Sequence, residues 1–161
     1  FQSSAVGRIF DAAAALVLGR KLSSFEGQGP MELEQAAQKS CSAVHLPLRC
    51  DGHGVLRSDW APLLPVLSDE VLPVPERAGI FHESMAQALV DQALEVREKT
   101  SFDAVGLSGG VFQNRFLTER VVELLGEKEI DVRLHGAVPA NDGGLCFGQV
   151  IEALALQGQI P

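Results

Sequence analysis

The sequence predicts an α/β fold: a short, mainly parallel sheet wrapped by helices, with a small β-hairpin appended. Two observations carry this expectation. The last third runs strand, glycine loop, helix twice over: Ala104 to Leu107 leads into Ser108-Gly109-Gly110, and Ile130 to Leu134 leads through a loop into Asp142-Gly143-Gly144. Strands joined through a helix pair in parallel. The first two thirds alternate helical stretches with Gly/Pro breaks, and only the segment Val44 to Arg57, turning at Asp51-Gly52-His53-Gly54, has a hairpin's pattern.

The elements follow in order. Ser3-Ser4 precede apolar residues at Val6, Ile9, Phe10, Ala13, Leu16 and Val17, and Gly19 ends the run, which predicts a serine-capped helix. After a Gly/Ser loop, Pro30 opens a helix to about Ser42. Beyond the hairpin, Ser58 or Asp59 caps a helix toward Leu67, and Leu72-Pro73-Val74-Pro75 leads to the longest helix, about Ala78 to Lys99. Val111 to Lys128 is expected to be helical, and a final helix runs to about Leu156.

Composition narrows the function. The chain has 161 residues, one domain's worth, with 21 acidic side chains against 13 Lys plus Arg and a net charge of −8. No basic stripe is present to displace phosphate counterions or to hold an anionic membrane, and no apolar run approaches the length of a membrane span. The N-terminus carries no basic leader and reads as the middle of something longer. The three cysteines, an odd number without a CxxC pair, suit a reducing cytoplasm and offer no zinc cage.

Four local patterns could carry chemistry. Gly106-Leu107-Ser108-Gly109-Gly110 fits G-x-S-x-G between a strand and a helix, where an acyl hydrolase would place Ser108 as nucleophile. That reading needs a later acid and histidine, and Asp131 and His135 share one strand face without an easy aim at Ser108. The rival reading makes Gly109-Gly110 a phosphate cradle at a helix N-terminus, with Asn114 one turn on reaching back to a ligand oxygen. A tight turn with an exposed Asn114 is the plain alternative. Gly7 and Asp11 share a helix face, where a glycine lets a flat ligand approach and a carboxylate accepts from two ribose hydroxyls; a packing glycine and a surface acid would look the same. Asp142 either caps the last helix or presents a carboxylate to a cation. The Phe25-Glu26-Gly27-Gln28-Gly29 loop offers a further backbone approach.

Taken together, Ser3 to Ala12, Phe25-Glu26-Gly27-Gln28, Leu107 to Asn114 and Pro139 to Gly144 resemble the C-terminal part of the HypF carbamoyltransferases of nickel–iron hydrogenase maturation. The resemblance spans essentially the whole chain. More distantly, the lobe is similar to antibiotic O-carbamoyltransferases and tRNA threonylcarbamoyladenosine transferases, all of the actin-like ATPase (ribonuclease H-like) fold. It implies that residues 1–161 form one lobe of a two-lobed site whose N-terminal lobe, like the family's other domains, lies outside the chain. It implies ATP, as carbamoyladenylate or AMP, with Asp11 on the ribose, Gly27 near the nucleoside, and Gly110 and Asn114 on the phosphate side; Gly7 and Gly109 are added on geometry. Asp142 becomes a ligand of a divalent metal whose other ligands, a histidine pair, lie in that other lobe. The implied acceptor is a cysteine thiol of HypE. An isolated lobe is also expected to pair with a second copy through its uncovered cleft face. The alternatives that stay open are a nucleotide-binding module without catalysis and a Ser108 hydrolase.

Overall fold

Helix α4, Val74–Lys99, is the axis about which the chain is built. Its first half is buried almost all round, because α1 (Val6–Leu18), α2 (Gln28–Ala36), α3 (Leu63–Leu67) and α5 (Arg115–Glu127) all lie against it in the computed structural model, which describes residues 5–159. Burial on every side would suit a wholly apolar helix. Here four polar side chains are enclosed, and each has a hydrogen-bond partner, although the buried Arg77 Nε has none among the described residues. Arg77 donates through Nη1 to the Leu67 carbonyl at the end of α3, 3.0 Å away. Ser84 donates to the Ile80 carbonyl and accepts from the Val44 N–H. Glu83 takes the Arg120 guanidinium at 2.7 Å, and His82 is bonded at both ring nitrogens.

The expected hairpin is present but short: β1 (Leu48–Cys50) pairs antiparallel with β2 (Leu56–Ser58). Asp51 holds its turn by accepting from the N–H groups of His53 and Val55 and from Arg57. The expected parallel pair is present too, β3 (Ala104–Gly106) beside β4 (Asp131–Arg133), and the Leu107 N–H adds a bond to the Arg133 carbonyl. Helix α5 connects them, and α6 (Leu145–Leu156) closes the described chain.

Boundaries differ from the sequence expectation for identifiable reasons. Helix α1 ends at Gly19 in the left-handed conformation, as expected, while Ser3-Ser4 lie outside the described residues. Helix α2 starts two residues before Pro30, because Gly27 at φ +80° turns the chain into it, and stops at Ala36. Asp59 accepts from the Ala61 N–H in a turn, so α3 begins only at Leu63. Pro73 and Pro75 stand at the start of α4, so that helix begins four residues earlier than Ala78. The span Val111 to Lys128 is not one helix. A 3-10 turn, Gly110–Gln113, gives way to α5 at Asn114, which has extended backbone and caps the new helix.

Candidate functional site

The motifs singled out in the sequence lie on adjoining elements. Helix α1, which carries Gly7 and Asp11, packs along α2, which follows Gly27, and also meets the 3-10 turn that follows Gly109 and ends at Asn114. On α1, Asp11 is exposed and carries an ion pair to Arg8 at 3.3 Å, itself well exposed. A Cβ at Gly7 would touch nothing within 4 Å, so this glycine is not a helix-packing contact. The α1 surface there is open.

The Phe25–Gln28 loop is braced from within. The Gln28 side chain accepts from the Ser24 N–H and donates to Glu32, and Arg20 closes the network through Nε to Glu32 at 2.7 Å. The Arg20 guanidinium, then the Gln28 amide, holds the Glu32 carboxyl below its usual range. Beside this loop lies an open groove of about 470 Å³ lined by Phe25, Gln28, Met31, Glu32, Glu34 and Gln35.

At the Gly109-Gly110 turn, Gly109 sits at φ +112° and ψ 155°, a region essentially restricted to glycine. Its N–H donates to the Ala140 carbonyl at 2.8 Å, and a Cβ on Gly110 would lie 3.8 Å from that of Asn141. The two glycine loops therefore meet. The N–H groups of Gly110 and Val111 have no partner among the described residues. The start of α5 is different, and the phosphate-cradle expectation changes there. Asn114 Oδ1 accepts from the Leu117 N–H, and the Glu34 carboxylate, from α2, accepts from the Phe116 N–H at 3.0 Å. The α5 terminus thus has its own carboxylate, and the open donors are those of the 3-10 turn before it. Asn114 is buried, with its amide NH2 bonded to His82 at 3.0 Å, so it is neither an exposed residue nor a wholly free arm.

In the last loop, Asn141 rather than Asp142 caps the short 3-10 turn Asp142–Gly144, accepting from the Gly143 N–H. Asp142 is left exposed. Gly144 is needed for packing, since a Cβ would come within 2.6 Å of the Pro139 carbonyl oxygen. Among the described residues no cluster of three His, Cys, Asp or Glu is placed to hold a metal, so Asp142 stands as a single candidate ligand.

The hydrolase geometry is not assembled. Asp131 pairs with Arg133 rather than with His135, Ser108 has no histidine partner among the described residues, and His82 is committed elsewhere.

Comparison with known proteins adds the family. The family model described as carbamoyltransferase, Kae1-like domain, second subdomain, matches residues 1–149. The chain belongs to the HypF carbamoyltransferase family. It is 38% identical over 154 residues to the carbamoyltransferase HypF of Rhodobacter capsulatus, covering 95% of this chain and 20% of that protein. The HypF of Rhizobium leguminosarum bv. viciae is 34% identical over 149 residues, with 91% of this chain and 19% of the relative covered. The chain thus spans about a fifth of the length of these relatives. A crystal structure of full-length HypF in its phosphate- and nucleotide-bound form superposes with a TM-score of 0.84 at 34% identity, over 95% of this chain and 20% of that one. The fold is accordingly a HypF, Kae1-like lobe, consistent with the actin-like architecture expected from the sequence.

Two participants escaped the sequence reading. Glu34 was unmarked, although Glu32 and Glu34 stand one turn or more beyond Gly27; nothing in the pattern says which of them reaches α5. His82 stands in no motif; it is completely buried, and its bond to Asn114 joins residues 32 apart and has no sequence signal.

Proposed function

We propose that residues 1–161 are the nucleotide-binding lobe of a HypF carbamoyltransferase, and that ATP, as carbamoyladenylate or AMP, lies across α1, α2 and the Gly109–Asn114 segment. The observation that carries this reading is the adjacency of α1 to both α2 and the 3-10 turn, which lets three distant motifs serve one ligand. Asp11 would accept from the ribose hydroxyls, Gly7 leaves room for the flat part of the ligand, and Gly27 with the neighbouring groove receives the nucleoside. A volume of that order suits a small-molecule site. The open N–H groups of Gly110 and Val111 are donors for a phosphate oxygen, with Gly109 supplying the turn and Asn114 its remaining amide hydrogen. The nucleotide-bound full-length HypF supports the ligand class.

In the reaction proposed, a cysteine thiolate of HypE attacks the carbamoyl carbon of carbamoyladenylate, forming the thiocarbamate C–S bond and expelling AMP. This lobe's part is to hold the adenylate in place and to present donors to the phosphate as it leaves. A divalent metal at Asp142 would need ligands from elsewhere, because among the described residues no group of three His, Cys, Asp or Glu is placed to hold one.

The partner surface is proposed on α6. Leu145, Phe147, Val150 and Ile151 are exposed there, and no α6 residue is buried. A helix this apolar is normally covered. Its cover is proposed to be the family's N-terminal lobe, or a second copy when that lobe is absent. A cytoplasmic location is proposed as well, in keeping with free thiols at Cys41, Cys50 and Cys146; among the described residues no helix is long and apolar enough to cross a membrane.

Asp11→Ala tests the nucleotide reading. Charge-assisted bonds to the ribose are worth about 1.5–3 kcal/mol, so calorimetric titration with an AMP analogue should show a ten- to hundred-fold weaker Kd, by roughly 1.4 kcal/mol per decade. The thermal melt should barely move, since the exposed Arg8 pair contributes only about 0.2–1 kcal/mol. Unchanged affinity would remove Asp11 from the site.

A further inference from the structure

We infer that His82 is a positioning residue for the nucleotide site, acting through Asn114; this rests on the nucleotide reading above. His82 is completely buried on α4, and both its ring nitrogens are committed. Nδ1 lies 2.8 Å from the Ala78 carbonyl oxygen. A carbonyl only accepts, so Nδ1 carries the proton and Nε2 presents a lone pair. Nε2 lies 3.0 Å from Asn114, which must therefore offer its NH2 to the ring and its Oδ1 to the Leu117 N–H, 2.8 Å away. Turning the amide over would set Oδ1 against the Nε2 lone pair and NH2 against an N–H. Both bonds would be lost at buried atoms. The histidine tautomer thus decides the amide orientation.

The consequence falls on the turn before α5. Asn114 is at once the C-terminal cap of the Gly110–Gln113 turn, through its own N–H to the Val111 carbonyl at 3.0 Å, and the N-terminal cap of α5. With the amide fixed, one Nδ2 hydrogen has no partner among the described residues, a few residues from the open N–H groups of Gly110 and Val111. Packing alone does not call for an imidazole here. The ring stands edge-on to Phe10 and Phe81, at 5.6 and 5.5 Å, and lies tilted on Phe116 at 5.0 Å, a cage that suits a phenyl ring as well.

His82→Phe keeps the ring and removes the acceptor; His82→Gln restores an acceptor near the Nε2 position. Both are compared with Asn114→Ala and with the His82→Phe/Asn114→Ala double variant in the complete native polypeptide, by calorimetric titration with an AMP analogue beside a thermal melt. Expected are a loss of affinity of about ten-fold for His82→Phe, the upper end for one hydrogen bond, no loss in the double variant beyond that of Asn114→Ala alone, and recovery of most of the His82→Phe loss in His82→Gln. Should His82→Phe fail to fold, His82→Asn, whose amide stops short of Asn114, takes its place against His82→Gln. An affinity unchanged in His82→Phe while Asn114→Ala weakens binding overturns the role of His82 and leaves the nucleotide reading standing. An affinity unchanged in Asn114→Ala also overturns the role of His82 and leaves the nucleotide reading standing, whereas a wild type that binds no nucleotide overturns both.

Discussion

Burial of a titratable ring makes His82 visible in a second way. Desolvation, against the opposing pull of the Ala78 carbonyl and of the Glu34 and Glu83 carboxylates, holds its pKa below the ordinary 6.5. The charged groups that act on it are Glu34 on α2 and Glu83 on α4 itself, the latter paired with Arg120 of α5. Because the unfolded state takes up the proton first, stability is full above pH 6.5 and falls as the pH drops below it, by at most about 1.4 kcal/mol per pH unit. Urea midpoints between pH 8 and pH 5 should therefore decline more steeply in the wild type than in His82→Phe. Equal slopes would show that the ring is not held neutral. A second residue-scale prediction concerns Gly79, where a Cβ would collide with the Gln38 carbonyl oxygen and lie 2.6 Å from Cys41 Sγ. Gly79→Ala should destabilise the chain by about 1–3 kcal/mol, the usual effect of overpacking, read as a lower urea midpoint at unchanged m-value.

Among the elements, α5 shows most clearly what a sequence can and cannot disclose. Its helical character was legible in the sequence, and Leu117, Val121, Leu124 and Leu125, at helical spacing, form its buried face. The break at Asn114 was not, because the residues before it are as compatible with a helix as those after it. The break is made with tertiary partners: Glu34 reaches in from α2 and takes the Phe116 N–H that a continuous helix would have bonded to itself, while His82 on α4 holds the Asn114 amide whose Oδ1 takes the Leu117 N–H. The same reasoning separates the glycines. Gly19 and Gly109 take positive φ, as a punctuating glycine should, whereas Gly144 is required by a close contact with Pro139 that only the fold reveals. Asn114→Ala removes the α5 cap and should destabilise by about 1–2 kcal/mol. Asn114→Asp keeps the capping oxygen but sets a carboxylate oxygen against the Nε2 lone pair. It should recover only part of that loss, and a full recovery would mean that the bond to His82 contributes nothing.

For the whole molecule, the α/β order and the parallel pair could be read from two strand–loop–helix runs, but the enclosure of α4 could not, since its polar residues at Arg77, His82, Glu83 and Ser84 break any apolar pattern. The site was legible as motifs, not as a surface: nothing in the sequence says that α1 touches both α2 and the Gly110–Gln113 turn. Helix α6 carries the remaining large-scale prediction. With Phe147 and Val150 more than half exposed, the isolated chain should sediment as a dimer at tens of micromolar. The variant Phe147→Glu/Val150→Glu should sediment as a monomer with little change in melting, because neither side chain is buried. A monomeric wild type would remove α6 as an association surface. That one nucleotide bridges α1, α2 and the Gly109–Asn114 segment is tested most directly by a crystal structure of the complete native polypeptide with a bound AMP analogue. The ribose is expected on Asp11, the base beside Gly27 and the phosphate at Gly110, Val111 and Asn114; a nucleotide bound with none of its atoms at Asp11 or the Gly109-Gly110 turn would contradict the shared site.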